Sequence, residues 1–204
     1  MDLLIATYNQ GKLKEIFNIL KKLNLALYTP DRFSSSIVVK ETGSTYDENA
    51  LLKAQKNMQT SGLITLADDS GLEVKALHGQ PGLLSARFAP MKNASDADRR
   101  HYLLEKLREK PQPWKVVFIC KVALVAPNAP PIITGGVCRG MIIPEERGKM
   151  GFGYDPIFYI TSQGKTMAEL TLAEKNRISH RAKALQKMIP HLRKLIRKDT
   201  ALTK

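Results

Sequence analysis

The sequence predicts a mixed α/β domain, and two patterns carry that expectation. Near the N-terminus a short apolar strand leads through a polar turn into an amphipathic helix, the unit from which parallel sheets are built. Later, two long runs rich in β-branched residues are joined by a short proline-containing turn, a connection that makes neighbouring strands antiparallel. At 204 residues the chain can bury roughly 70% of the surface its unfolded form exposes, enough for one substantial core without a second domain.

Taken in order, Leu3 to Ala6 form the first strand and "TYNQGK" the turn after it. Leu13, Ile16, Phe17, Leu20 and Leu23 then recur at helical spacing. The segment "SIVVKE" reads as a strand ending at Glu41. A second helix is announced by Thr45 with Glu48 three residues on, the pattern of a capping box, and Gly62 is placed to stop it. Leu63 to Ala67 follow as a strand that delivers Asp68 and Asp69 at its C-terminal end, with Ser70 and Gly71 permitting a sharp turn. A third helix starts at Ser95 with Leu103, Leu104 and Leu107 as its apolar stripe. Trp114 to Ala126 read as a central strand and Ile132 to Ile143 as its hairpin partner, where Gly135, Gly136 and Gly140 mark bulges or close backbone approaches. Asp155-Pro156 pushes the chain towards an extended strand. The last helix starts at Thr171, with Glu174 completing a second capping box, and buries Ile178, Ala182, Leu185 and Ile189 until Pro190 kinks or ends it.

Composition narrows the class. Hydrophobic content of 43% and charged content of 25% suit a soluble globular protein, and no apolar run approaches the roughly 18 residues of a membrane span. The N-terminal "MDLLIATYNQGK" lacks the character of a secretory signal, and Cys120 and Cys138 lack metal-ligand spacing, so a cytoplasmic protein with reduced, buried thiols is expected. Of the net charge of +13, +9 falls between Lys175 and Lys204, where ten Lys or Arg face the single acid Asp199. A surplus confined to the C-terminal segment, which runs on into a basic tail at about residues 191–204, and lacking interleaved aromatics makes nucleic acid an unlikely main partner. A solvated helix face explains the same charges.

Four stretches could carry chemistry. Thr7, Tyr8, Asn9, Gln10, Gly11 and Lys12 pair a helix N-terminus with a glycine and a lysine, as an anion site requires, although the spacing is not that of a P-loop. Glu41 with Asp68 and Asp69 offers hard oxygen ligands at strand ends, where Mg²⁺ is held by one or two carboxylates plus substrate phosphates. A metal there would acidify a bound water, leaving Asp69 to accept its proton while Lys12 and Lys53 clamp a polyphosphate. Local capping and turn formation explain the same acids. In "GFGYDPIF", Phe152 on a glycine-flanked loop could stack a nucleobase or pack into the core. In "EKNRISHR", Lys175, His180 and Arg181 are donors that could read carbonyl oxygens or phosphates, but on one continuous helix they do not share a face.

The order of these motifs along the chain, "TYNQGK", "ETGSTYDENALLKA", "LADDSGLEV", "PGLLSAR", "GFGYDPIF" and "MAELTLAEKNRISHR", resembles the inosine/xanthosine triphosphate pyrophosphatase family from about residue 3 to residue 190. The resemblance implies a homodimer of elongated α/β subunits, each with a central mixed sheet flanked by helices and an active-site cleft between two lobes. It implies Mg²⁺-dependent cleavage of ITP, dITP and XTP to the monophosphate and pyrophosphate, which cleanses the nucleotide pool. By the same resemblance Thr7 to Lys12 and Lys53 contact the phosphates. Glu41 and Asp69 ligate the metal, with Asp69 also the general base and Asp68 supporting. Ser70, Phe152, Gly153, Tyr154, Asp155, Lys175, His180 and Arg181 contact the nucleotide. Tyr8 and Leu84 depart from the family pattern, which more often has a small residue at the first position and an aromatic or polar one at the second.

Overall fold

Strands at the start of the chain pair in parallel because each return passes through a helix. In the computed structural model, which describes residues 1–33 and 39–202 with 198–202 as backbone alone, β1 (Asp2–Ile5) leads into α1 (Gln10–Leu20) and β2 (Ala26–Tyr28). Then come α2 (Tyr46–Ser61) and β3 (Ile64–Val74). β1 pairs in parallel with both β2 and β3, Leu3 standing opposite Leu27 and Ile64. β4 (Pro81–Gly82) adds to β3 antiparallel, and α3 (Asp96–Leu107) precedes β5 (Trp114–Val125) and β6 (Ile132–Ile142). β7 (Phe158–Ile160) and β8 (Lys165–Thr166) extend the sheet antiparallel, and α4 (Leu172–Ile178) and α5 (His180–Leu202) close the chain. The strand order β2-β1-β3-β5-β6-β7-β8, with β4 beside β3, is the expected mixed sheet.

The chain divides into two units. The first comprises residues 1–69, 120–136 and 181–204, the second 70–119 and 137–180. In the first, α1 and α5 press Leu13, Ile16, Leu20, Leu185, Met188 and Leu192 onto Leu3, Ile5, Leu66 and Val122, while Ala50 and Ala54 of α2 meet Ala6, Ala67 and Ala123. Alanines there let helix and sheet approach closely. In the second, Leu103 and Leu107 of α3 pack with Trp114, Val116, Phe118, Ile157 and Phe158. Each large apolar side chain fully withdrawn from water in these cores contributes about 1.5–3 kcal/mol.

Local signals explain the helix ends. The Ser95 hydroxyl accepts the Asp98 N–H while the Asp98 carboxylate accepts the Ser95 N–H, and Thr171 and Glu174 do the same for α4. At α2 the expected box is only half formed: Thr45 caps Glu48 N–H, but the Glu48 carboxylate reaches one residue further back, to the N–H (2.7 Å) and hydroxyl (2.9 Å) of Ser44. Gly62 ends α2 in the left-handed region at φ 72°. Gly140 is a close approach as expected, since a Cβ there would stand 2.5 Å from the Tyr159 carbonyl oxygen.

Four expectations need correcting. β3 does not end before Asp68; it runs through both aspartates to Val74, so Ser70-Gly71 is strand and not turn. The predicted strand before Glu41 lies partly outside the described residues, and Val39 to Glu41 are not in a strand. Asp155 to Ile157 make a single 3₁₀ turn, and extension begins only at Phe158. The predicted C-terminal helix is two helices: Ser179 takes an extended conformation (φ −65°, ψ 158°), which ends α4 before α5 begins at His180. Pro190 does not end α5; it and Gln186, whose carbonyl the proline leaves without a helical donor, are both exposed and open to water.

Candidate active site

In the first unit, β3 sorts its two aspartates by the alternation of a strand, in which neighbouring side chains leave opposite faces. Asp68 is buried, and its carboxylate accepts from the Arg181 Nε at 3.1 Å and lies 3.0 Å from the Lys12 ammonium. Arg181, also fully buried, binds Glu15 of α1 through Nη1. Burial alone would raise the Asp68 pKa, but the charges of Lys12, Arg181 and Lys53 outweigh it and hold this carboxyl well below the usual range. Cys120 packs beside Asp68, and burial together with that negative charge pushes its thiol up to about 12, so it is inert.

Asp69 has different partners. Its Oδ1 accepts from the Lys53 ammonium at 2.8 Å, and the same ammonium donates to Glu41 at 2.7 Å. Asn49, one helical turn before Lys53 on α2, places its Nδ2 3.4 Å from the other Asp69 oxygen. Burial raises the Asp69 pKa and Glu41 adds to the rise, while Lys53 and Lys12 pull the other way without cancelling it. Lys53 is held charged: burial opposes its ammonium, but Asp69, Asp68 and Glu41 together raise its pKa. The twin aspartates thus divide into one locked anion and one whose proton affinity is raised.

The loop "TYNQGK" forms the N-terminus of α1, where the Asn9 side chain accepts the Lys12 N–H at 3.0 Å and the Thr7 hydroxyl accepts the Asn9 N–H at 3.2 Å. Tyr8 is 49% exposed, and Gln10 and Gly11 open the helix. Leu84, 56% exposed, lies beyond β4.

In the second unit, Ser70 is a half-buried residue of β3. The loop carrying Phe152 is held from several directions. Gly151, at φ 80°, comes so near Asp155 that a Cβ would fall 2.1 Å from its Oδ2. That oxygen accepts the Phe152 N–H at 2.8 Å and pairs with Lys175 of α4, whose ammonium lies 5.0 Å from the centre of the Phe152 ring. The first turn of α3 grips the next residue: Asp96 accepts the Gly153 N–H at 2.7 Å, and Arg100, itself doubly bonded to Glu146, donates to the Gly153 carbonyl at 2.8 Å. Tyr154 is buried with its hydroxyl on the Ser85 carbonyl, so its side chain belongs to the core. His180 stacks on Phe118 with ring centres 4.6 Å apart, and Phe118 stacks on Phe158 at 4.4 Å.

The structure therefore gathers Lys12, Glu41, Lys53, Asp68, Asp69 and Arg181 into one cluster of charges, and Phe152, Gly153, Asp155 and Lys175 into a second group. Glu15, Asn49, Asp96, Arg100 and Phe118 are additional members that sequence reasoning missed. Asn49 had a signal, four residues before Lys53 in "ENALLK"; the others are brought in by long-range packing alone.

Glu41 and Asp69 already converge on one cation, the Lys53 ammonium. Among the described residues no group of three or more His, Cys, Asp or Glu is arranged around a metal position. Two carboxylates suit Mg²⁺, which keeps waters and takes further oxygens from substrate phosphates.

These features define a mixed α/β protein with a carboxylate–lysine centre of the kind that handles phosphate anhydrides. The sequence profile of the Ham1 family matches residues 3–191, and the chain belongs to that family. It is 44% identical over 191 residues to the dITP/XTP pyrophosphatase of Geobacter sulfurreducens, covering 93% of this chain and 96% of the relative. It is 42% identical over 192 residues to the protein of the same name from Bacillus cereus, covering 92% of each. Among solved structures it superimposes on a HAM1 protein from Coxiella burnetii with a TM-score of 0.85 and 42% identity, over 95% of this chain and 99% of the other.

Proposed function

We propose that this protein hydrolyses non-standard purine nucleoside triphosphates (ITP, dITP and XTP) to the monophosphate and pyrophosphate, with Mg²⁺ held by Glu41 and Asp69. One observation carries the chemical part: the Lys53 ammonium joins two carboxylates, donating to Glu41 at 2.7 Å and to Asp69 at 2.8 Å. Mg²⁺, when bound, lowers the pKa of water and offsets phosphate charge. Asp69 orients the attacking water and takes its proton. Lys53 and Lys12 neutralise the polyphosphate, and the α1 N-terminus adds backbone donors at Gln10 and Gly11. Asp68, locked between Lys12 and Arg181, keeps Lys12 in place.

Phe152 offers a ring face, and His180 and Lys175 are donors. Hypoxanthine and xanthine present a carbonyl at position 6 where adenine presents an amino group, so a site of donors matches the former and leaves a donor unpaired against the latter. We further assign a homodimer, as the resemblance carried by the motif order implies. A cytoplasmic location accords with two free, buried cysteines, and among the described residues no helix is long and apolar enough to cross a membrane.

The test is pyrophosphate release from ITP, ATP and GTP with Mg²⁺, by the wild type and by Asp69→Asn. ITP is expected to turn over much faster than ATP or GTP, and the variant to lose a factor of roughly 10² or more while remaining folded. Equal rates on all three substrates would reject the specificity, and near-normal turnover by Asp69→Asn would reject the mechanism.

A further inference from the structure

Asn49 is a buried amide, 2% exposed, on the face of α2 that also carries Lys53. Its two ends are spoken for by different parts of the chain. Oδ1 accepts the N–H of Gly43 at 2.8 Å, in the turn two residues after Glu41, and Nδ2 donates to Asp69 Oδ2 at 3.4 Å. A backbone N–H can only donate, so the amide oxygen must face Gly43, and the nitrogen is thereby turned towards a carboxylate that can only accept. Asparagine satisfies both at this length; aspartate would set oxygen against oxygen at Asp69.

A second observation shows that this fit is tight. A Cβ at Gly43 would lie 2.8 Å from Asn49 Oδ1 and 2.7 Å from Glu48 Cβ, so the turn is pressed against α2 with no room for a side chain. Glu48 holds the next residue, Ser44, through its N–H and hydroxyl. The Glu41 segment is thus fastened to the first turn of α2, and Asn49 is the member of that fastening that also touches Asp69.

Lys53 bridges the same two segments by charge, donating to Glu41 and to Asp69. A phosphate or a divalent cation competes for those contacts, because each offers either the ammonium or the carboxylates a stronger partner. The neutral amide has no such competitor. We propose that Asn49 is a positioning residue, holding the Asp69 carboxylate and the Glu41-bearing turn in fixed relation so that both remain aimed at one cation when Lys53 is drawn to substrate. This inference rests on the roles given above to Glu41 and Asp69, and its test separates the two.

Asn49→Ala is compared with wild type and with Asp69→Asn in steady-state hydrolysis of ITP and in Mn²⁺ binding to the nucleotide-free protein, followed by the paramagnetic resonance of free Mn²⁺. Partners one layer behind a metal ligand typically govern affinity or activity by 10–100-fold. The expected result is a kcat lower by that factor with KM for ITP within about threefold, and Mn²⁺ affinity weakened 10-fold or more. A kcat and an Mn²⁺ affinity both within threefold of wild type, alongside an inactive Asp69→Asn, would overturn the role of Asn49 and leave the function standing. Normal activity in both variants would overturn both. Should Asn49→Ala fail to fold, Asn49→Ser withdraws the donor from Asp69 without adding a charge; a tenfold or greater fall in kcat with KM for ITP within about threefold supports the proposal, and an unchanged kcat rejects it.

Discussion

Replacing Arg181 by methionine would remove the cation from a buried ion network while keeping a side chain of similar length. Arg181 and Glu15 side chains are 2% and 3% exposed, and Asp68 is fully covered. Breaking one partner out of a buried pair costs about 3–5 kcal/mol, because the remaining charge is left in a poor solvent. Lys12 stays with Asp68 at 3.0 Å, so the penalty falls chiefly on Glu15 and the lower end, about 3 kcal/mol, is the better figure. For a chain of 204 residues each kcal/mol moves the melting temperature by about 2–4 °C, which gives a fall of about 6–12 °C. Differential scanning calorimetry reads this directly. Adding Glu15→Gln to Arg181→Met should recover part of the loss, a coupling of about 1–3 kcal/mol expected for residues in contact. An Arg181→Met protein melting within about 2 °C of wild type, yet losing its preference for ITP, would refute the reasoning and put the guanidinium on the base.

Two more outcomes follow from local geometry. Hydrogen bonds from Ser44, Ser95 and Thr171 hold Glu48, Asp98 and Glu174 below their ordinary pKa values; a depressed folded-state pKa gives stability that is present above the unfolded values near ~4 and lost as pH falls through the folded ones. Urea midpoints should therefore drop below about pH 4, and Asp98→Asn with Glu174→Gln should flatten that acid limb. Gly151→Ala forces a methyl group against Asp155 at a positive φ, and is expected to cost about 1–3 kcal/mol in urea denaturation.

Much of the fold was legible because local rules and packing agree. The strand, turn and helix at the N-terminus, the caps at Ser95 and Thr171, the Gly62 stop and the two long strands all stand where periodicity and capping chemistry place them. β3 went further than predicted because Ser70 and Gly71 are compatible with strand as well as turn, and only its neighbours on the sheet decide between them. The break at Ser179 was invisible for a related reason: nothing in "RISHR" forbids a helix, and the extended residue is enforced by the packing of α4 and α5 in separate cores. Among the clustered charges, Lys12, Glu41, Lys53 and Asp69 were singled out by charge and motif. Glu15 and Phe118 were not, since an acid on an amphipathic helix and an aromatic on a strand have no chemistry to announce until Arg181 and His180 arrive beside them.

The sorting of Asp68 and Asp69 by strand alternation makes β3 intolerant of length change. Deleting or inserting one residue upstream in that strand would turn both carboxylates to the opposite faces, parting Asp68 from Arg181 and Asp69 from Lys53. No substitution elsewhere restores the arrangement, so sequence drift in this protein can alter what β3 carries but not how many residues it counts.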